Sequence, residues 1–349
     1  MITVSVAMAT YNGAKYLRDQ LDSLAAQRHT PAELVVTDDG STDGTLVIVE
    51  EFSKTASFPV LIHRNESPVG YRANFMRAAG LCRSELIAFC DQDDIWDPRK
   101  IAICAERFED SGVLLVYHDA VVVTAGGDPI RPFDQHLSGS PMDYALGFTQ
   151  IFHRSLIQHS DLWCVSLDHN EPVVTERMAH DQWFFFLALA FGSVVHLGQR
   201  LVYYRQHGGN TYGWSAPLSF SKKPLHSLSA FRGRAERLAS FEKAARGRAA
   251  ILEQPNRKMT NLWRERAALA SERYHFLADL YGVRRRLYAS INTADRARAF
   301  CSILRKRGYR PKRNWGLGAK ALIADLCLGL PVGHLVSGTR DSVANPSTN

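Results

Sequence analysis

A chain of 349 residues with 46% hydrophobic content is long enough for one large core and an appendage, and its composition is that of a globular protein. Six cysteines without a CxxC pair, and thirteen histidines without metal-type pairing, argue against a disulfide framework or a zinc site and fit free thiols in a reducing cytosol. The net charge of +7 hides an asymmetry: 16 Lys+Arg against 26 Asp+Glu up to Trp214 (net −10), then 26 against 9 (net +17), which places an expected domain boundary near Trp214.

Residues 2–8 (ITVSVAM) alternate and are rich in β-branched side chains, so they read as a strand that Met1 enters directly, with no signal peptide expected. The loop Thr10-Tyr11-Asn12-Gly13 follows, then a helix over 14–27 from the spacing of Leu17, Leu21 and Leu24. A second strand, 33–37, ends in DDGSTDG, where Asp43 can cap a helix to about Ser53. A third strand (60–63), a third helix (73–82) and a buried strand (86–90) complete a β-α-β-α-β-α-β alternation. That order predicts a parallel sheet with covering helices and puts Thr10–Asn12, Asp38–Asp39 and Asp91–Asp94 on one crevice at the carboxyl ends of the strands.

The turn CDQDDIWDP carries three carboxylates, Asp91, Asp93 and Asp94, within four positions, with Asp97 as cap of a helix over 99–108. Taken alone it is either a solvated acidic turn or a site for a hard divalent cation, since clustered carboxylates repel unless a cation shares them. No GxGxxG, GxxxxGK[ST] or GxSxG is present, which argues against a dinucleotide cofactor, a P-loop and an acyl-transfer serine.

Beyond Asp97 the pattern predicts strands over 113–117, 121–124 and 147–153, an irregular acceptor loop over 131–143, a helix from Ser155, a buried helix over 184–191 opened by Asp181, a strand over 194–204 and a loop over 205–212. After Trp214 two amphipathic helices, 228–252 and from 262 to about 281, form an expected antiparallel hairpin with the arginines on its polar faces. A basic cluster over 305–313 adjoins a mostly apolar segment, 315–336, which is a poor membrane span and reads equally as a membrane-surface helix or a docked one; residues 337–349 read as a disordered tail. Nucleic acid is an unexpected partner, because no RRM, KH or zinc-finger signature accompanies the basic charge.

ITVSVAMATYNG, ELVVTDDGSTDGT and CDQDDIWDP, in this order and spacing, resemble the family 2 glycosyltransferases, inverting enzymes of the GT-A fold. HDQW at 180–183 and YRQHGGN at 204–210 make the resemblance nearest to the rhamnosyltransferase-like branch that builds bacterial surface polysaccharide. It covers roughly residues 1–214 and implies a GT-A catalytic domain there, while charge and helical spacing give a basic α-helical extension over 215–336; the expected location is cytoplasmic, peripheral on the inner face of the cell membrane if the basic region binds anionic lipid. It implies a UDP- or dTDP-sugar donor, a saccharide or lipid-linked saccharide acceptor, and Mg²⁺ or Mn²⁺. Ala9, Thr10 and Tyr11 would line the nucleotide, Asp39 would accept from a uracil or thymine N3–H, and Arg72 and Arg205 would approach the nucleotide and diphosphate. Asp93 would touch the metal, Asp91 the metal-bound water or the ribose, His207 the metal or a phosphate, and Asp181 would be the general base. Asp38 keeps a loop-stabilising role, and His180 a supporting or acceptor-side one. A sugar-nucleotide pyrophosphorylase would need a Gly-rich basic segment that ATYNGAKYL does not supply, and a non-catalytic adaptor would have no need of these acids. No QxxRW pair follows Asp181, so single-residue transfer is expected rather than processive synthesis.

Overall fold

The computed structural model describes residues 2–110, 112–168, 177–209, 233–254 and 259–336. Its centre is one sheet of nine strands: β1 (Val4–Thr10), β2 (Glu33–Asp38), β3 (Val60–Arg64), β4 (Leu86–Cys90), β5 (Ile95–Trp96), β6 (Val113–Val123), β7 (Pro129–Phe133), β8 (Gln150–His153) and β9 (Ser193–Arg205). The order is β3-β2-β1-β4-β8-β6-β9-β5, with β7 added on β6. The first four strands run parallel, and β1 aligns Thr10 with Asp38 and Met8 with Cys90. Strand order reverses across β1, so the crevice opens between the carboxyl ends of β1 and β4, as the three acid-bearing loops require. The other half is mixed, with β8 antiparallel to both β4 and β6 and β9 parallel to β6. This is the α/β fold class expected, with a helical extension behind it.

Alternation along the strands sorts the core into two faces. Val4, Val6 and Met8 point with Leu34, Val36, Leu86 and Ala88 toward α1 (Ala14–Ala25), α2 (Thr45–Ser53) and α4 (Lys100–Ala105). Ala7, Val35, Ile87 and Phe89 point toward α3 (Gly70–Leu81) and α5 (His180–Phe191). α5 is buried on almost every side, because α6 (Arg234–Leu252) and α7 (Asn261–Ala289) cover it: Ala245, Ala249, Leu252, Ala267, Ala270 and Tyr274 share its core. The basic extension is therefore an outer layer of the same core on this face. The expected boundary near Trp214, residues 228–232 of the first hairpin helix, and the tail over 337–349 lie outside the described residues.

Several boundaries differ from the sequence pattern. The strands expected over 113–117 and 121–124 are one, β6. Residues 147–149 form a 3₁₀ turn before β8, and the helix expected from Ser155 is a 3₁₀ helix, Arg154–Val165. Residues 129–133 pair as β7, and the rest of the irregular loop is pinned by buried Gln135, which donates to the His118 carbonyl and the Thr149 hydroxyl, both at 2.8 Å. α7 runs to Ala289 because arginine has high helix propensity, so Arg284-Arg285-Arg286 extends it.

The arginines of the extension are not all on polar faces. Arg284 grips Asp325 with Nε at 2.8 Å and Nη2 at 2.8 Å, and Asp325, fully buried, also accepts from the hydroxyls of Tyr288 and Tyr309. Arg248 donates to the Pro141 carbonyl, and Arg296 to the carbonyls of Ser290, Ile291, Leu330 and Pro331. The apolar run over 315–336 is thus docked on α7, with α8 (Thr293–Arg305) beside it, through α9 (Ala319–Ala324), a π-helical turn (Asp325–Gly329) and α10 (Leu330–Val336). Among the described residues no helix is long and apolar enough to cross a membrane. Asp325→Ala leaves the buried Arg284 charge uncompensated and should destabilise the chain by about 3 kcal/mol or more; denaturant midpoints of wild type and variant check this.

Candidate active site

The fully buried strand β4 ends at Cys90, and the chain turns at once through Asp91, Gln92, Asp93 and Asp94 into β5, which pairs with β9. One carboxylate oxygen from each of Asp91, Asp93 and Asp94 can be chosen so that all lie within 4.8 Å of one another. Asp94 Oδ1 accepts from the Arg205 N–H at 3.0 Å, while its Oδ2 is buried with no hydrogen-bond partner. Burial, and then the charges of Asp93 and Asp181, push the Asp91 carboxyl up to about 8; burial, and then the charges of Asp93 and Asp91, push Asp94 well above its usual range. Three carboxylates this close cannot all ionise without a shared counter-charge. All-oxygen donors, one orphaned oxygen and mutual repulsion fit a hard divalent cation.

A cation is already built in beneath them. Lys100, with no exposed surface, donates to the Phe148 carbonyl at 2.6 Å and lies 3.4 Å from the centre of the Trp96 ring. Burial lowers its ammonium to about 8, against the supporting charges of the surrounding thiols and of Asp94 and Asp91. Asp97 takes a role close to the expected cap: it accepts from the Arg99 N–H at 2.9 Å, one residue ahead of α4.

The β1 and β2 ends form the opposite wall. Asp38 accepts from the N–H groups of Gly40 and Ser41 and from the Thr10 hydroxyl, the loop-stabilising role expected of it. Asp39 is buried and accepts from Asn65 Nδ2 (2.8 Å) and the N–H groups of Val69 (2.7 Å) and Gly70 (2.8 Å), leaving about one of a carboxylate's four acceptor directions open. Ala9 is buried in the sheet and Tyr11 stands 56% exposed at the crevice mouth. Gln92 ties this wall to the acid turn: its Oε1 accepts from the Tyr11 N–H and its Nε2 donates to the Tyr11 carbonyl, both at 3.0 Å. Gly13 makes room for it, since a Cβ there would lie 2.1 Å from Gln92 Oε1.

Asp181 opens the third side. It sits in the first turn of α5, where the helix dipole favours a carboxylate, and it accepts from the Gln182 N–H at 2.8 Å. Burial nevertheless raises it to about 7, and its charge is felt at Asp91, so Asp181 and the acid turn share one crevice. His180 is buried, stacked on Phe75 (4.0 Å between ring centres) and edge-on to Phe89, with both ring nitrogens unpartnered, and burial lowers its imidazole to about 3. It is therefore neutral and shapes the wall behind Asp181. Gly147 allows this approach: a Cβ there would meet His180 Nε2 at 2.6 Å and the Asp181 Cβ at 3.5 Å.

Two arginines differ from expectation. Arg205 is buried beneath the acid turn, with Nε on the Asp93 carbonyl (2.8 Å), Nη1 on the Ala125 carbonyl (2.6 Å) and Nη2 on Asp19 (2.8 Å). It holds the backbone of Asp93 instead of closing over a diphosphate. Arg72 is likewise buried, paired with Asp168 at 3.0 Å and bonded to the Arg177 carbonyl, so these partners already engage its guanidinium. His207 lies beside the acid turn, with Nε2 2.8 Å from Asp93 Oδ2 and its ring 4.5 Å from that of Tyr16. Its Nδ1 accepts from the Gly209 N–H at 3.1 Å, which puts the ring proton on Nε2 as a donor to Asp93. Binding a cation through Nε2 would displace that proton and release Gly209.

The sequence model of Glycosyl transferase family 2 matches residues 5–181, from β1 to the carboxylate that opens α5. The chain belongs to that family. This family 2 chain is 28% identical over 225 residues to the uncharacterized glycosyltransferase alr2836 of a Nostoc species, an alignment covering 60% of this chain and 66% of that one. It is 28% identical over 230 residues to the dTDP-rhamnosyl transferase RfbG of Shigella flexneri, covering 62% and 76%. The chain spans just under two thirds of the first of these relatives. Among solved structures, that of residues 1–349 of S. aureus TarS in complex with UDP is similar over 89% of this chain and 88% of that one, at 17% identity and a TM-score of 0.49.

Sequence reasoning missed Gln92, Asn65, Asn74 and Lys100. Asn74 donates to the Thr37 carbonyl at 2.9 Å and accepts from Asn65 at 3.0 Å, so α3 ties the end of β2 to the loop holding Asp39. A buried lysine two residues past a proline had no signal beyond its position on the apolar face of α4. Gln92 was visible as the middle residue of DQD, but its partner Tyr11 lies 81 residues away.

Two outcomes follow. Gln92→Ala unfastens the two walls and should weaken nucleoside diphosphate binding by roughly 1 kcal/mol, the worth of a net hydrogen bond, with an unchanged melting temperature; calorimetry checks this. Asp181, raised in the folded chain above its unfolded value near ~4, makes the fold hold a proton that the unfolded chain has released. Its stabilising contribution is full below about pH 4 and is lost as pH rises through about 7. Asp181→Asn should therefore gain stability over wild type by on the order of 1 kcal/mol or more at pH 8 but not at pH 4, as thermal melts at the two pH values will read.

Proposed function

We propose that this chain is an inverting, metal-dependent glycosyltransferase that moves one sugar from a nucleoside diphosphate donor to a hydroxyl of a saccharide or lipid-linked saccharide. The carrying observation is the single crevice in which a carboxylate with its pKa near 7, Asp181, faces an acid turn suited to a divalent cation. The donor sits on the β1–β2–β4 side, with its base at Asp39 and the Thr10–Tyr11 backbone and its diphosphate toward Asp93 and Asp91. Asp93 and Asp91, with His207 beside them, would hold Mg²⁺ or Mn²⁺, which when bound would supply charge neutralisation for the leaving diphosphate.

Asp181 takes the proton of the acceptor hydroxyl as that oxygen bonds to the anomeric carbon. The bond from that carbon to the diphosphate oxygen breaks on the opposite face, its electron pair leaves with the nucleoside diphosphate, and the configuration inverts. A pKa near 7 matches a base to this work near neutral pH. Arg205 holds the acid turn through the Asp93 carbonyl, the Lys100 charge acts on Asp94 and Asp91, and Gln92 fixes the spacing of the turn from Tyr11. A thymidine-linked deoxyhexose such as rhamnose is the favoured donor and bacterial surface polysaccharide the favoured destination. The motif set DQDDIW, HDQW and YRQHGGN, and the name of the Shigella relative, support both. The basic cluster over 305–313 and exposed Ile323, Leu326 and Leu335 support contact with an anionic membrane surface.

Asp181→Asn should lower kcat by ~10²–10⁴-fold and leave donor binding nearly unchanged. In wild type kcat should rise with pH through about 7, because only the ionised carboxylate accepts the proton. The test is transfer and donor hydrolysis with dTDP- and UDP-sugars across pH 5–9. Normal turnover by Asp181→Asn would remove it as the base.

A further inference from the structure

The segment that runs from Ala145 into β8 is held between two neighbours. On one side the Leu146 N–H donates to Gln135 Oε1 at 2.9 Å, the Thr149 hydroxyl accepts from Gln135 Nε2 at 2.8 Å, and the Phe148 carbonyl accepts from Lys100 at 2.6 Å. These bonds tie the segment to the loop after β7 and to α4. On the other side lies α5, and Gln150 makes the connection. Gln150 is the first residue of β8 and has no exposed surface. Its Nε2 donates to the Ala145 carbonyl at 2.6 Å and to the Asp181 carbonyl at 3.2 Å. Both acceptors are carbonyl oxygens, so only the NH₂ end of the amide can face them, with one hydrogen for each.

Stability alone does not account for a glutamine here. Its Oε1 is buried and has no hydrogen-bond partner among the described residues. A hydrogen bond gained at the Ala145 carbonyl and a buried oxygen left without a partner roughly offset each other. What the amide does achieve is to draw the Ala145 carbonyl and the first turn of α5 to one nitrogen. Two residues after Ala145, Gly147 lies so close to α5 that a Cβ on it would be 3.5 Å from the Asp181 Cβ. The Gly147 N–H acts on the Asp181 carboxylate and favours its charged form, as does the Gln182 N–H at 2.8 Å. The charged groups around this carboxylate are Asp91 on the acid turn and Asp168, itself paired with Arg72. Neutral His180 adds no charge. Backbone N–H groups are thus what favours the ionised Asp181, and the Gln150 clasp delivers one of them.

We propose that Gln150 is a positioning residue for the reaction: its amide clasps residues 145–147 to the first turn of α5 and so holds the Gly147 N–H on the Asp181 carboxylate. The inference rests on the reading of Asp181 as the base, and it makes β8, together with α5, the element that aims that base.

The test compares wild type, Gln150→Met, Asp181→Asn and the double variant, all full-length. Hydrolysis of UDP-glucose and dTDP-rhamnose, with water as acceptor and with Mg²⁺ and Mn²⁺ in turn, reads kcat and KM across pH 5–9. Calorimetry with UDP and dTDP reads nucleotide affinity, and melting curves check the fold. Methionine keeps the volume of glutamine and removes its donor; Gln150→Leu takes its place should the methionine variant not fold. Gln150→Met should lower kcat about tenfold and move the midpoint of its pH profile up by about one unit, because a hydrogen bond to the ionised carboxylate is lost. KM and nucleotide affinity should stay at wild-type values. In the Asp181→Asn background the same change should have no further effect, because it acts through that carboxylate. An unmoved midpoint, or a loss that multiplies with that of Asp181→Asn, would make Gln150 a structural residue only and overturns the proposal. Should wild type hydrolyse neither donor, or Asp181→Asn hydrolyse them normally, the base reading fails on its own. Carbon-13 titration of the Asp181 carboxyl in wild type and Gln150→Met then decides the clasp separately: an upward shift in the variant supports it, and equal titration overturns it.

Discussion

The constraint on which the structure depends is the repulsion among carboxylates brought to the end of one buried strand. Asp91, Asp93 and Asp94 leave β4 within four residues, and Asp181 adds its charge from α5. Such a cluster holds together only if the surroundings supply positive charge and hydrogen bonds. They do so from below, through Lys100 and the Arg205 N–H and guanidinium, and leave the upper side open. The orphaned oxygen of Asp94 and the His207 donor to Asp93 mark where the remaining charge is wanted. A site this short of counter-charge is chemically suited to a hard divalent cation.

The same argument explains why the acids sit at different protonation levels. Asp181 has a backbone N–H and a helix N-terminus to favour its charge, yet burial outweighs both and raises its carboxyl to about 7. His180 next to it is kept neutral by burial among three aromatic neighbours, so it offers Asp181 no counter-charge. A carboxylate titrating near neutrality is thus a product of packing: Gly147 lets the β8 approach close over His180 and Asp181, and α6 and α7 close over α5.

The parallel half of the sheet was legible in the sequence because its strands are buried on both faces and each ends in a polar loop. β1, β2 and β4 fall where the apolar runs put them, and the acid clusters share the crevice as expected. The mixed half was less so: β6 and β9 run long because they pair with each other and with short partners, a tertiary effect with no local period. Asp93, Asp91, Asp181 and His207 were visible as motif residues and come together. Arg205 and Arg72 looked free to meet a ligand, but composition does not show that carbonyls and carboxylates from distant loops, Ala125, Asp19 and Asp168, already engage them. The basic extension misled for a similar reason. Its charge looked like a solvated face, whereas Arg248, Arg284 and Arg296 are buried fasteners, and the apolar run over 315–336 is docked by two of them, Arg284 and Arg296.

The most direct measurement of the central claim is manganese binding followed by electron paramagnetic resonance, which reads the loss of the free-ion signal. The account predicts one Mn²⁺ per chain, bound more tightly when UDP or dTDP is present, and lost in Asp93→Asn with the fold intact. Uptake that is indifferent to the nucleotide, or equal in wild type and Asp93→Asn, would contradict it.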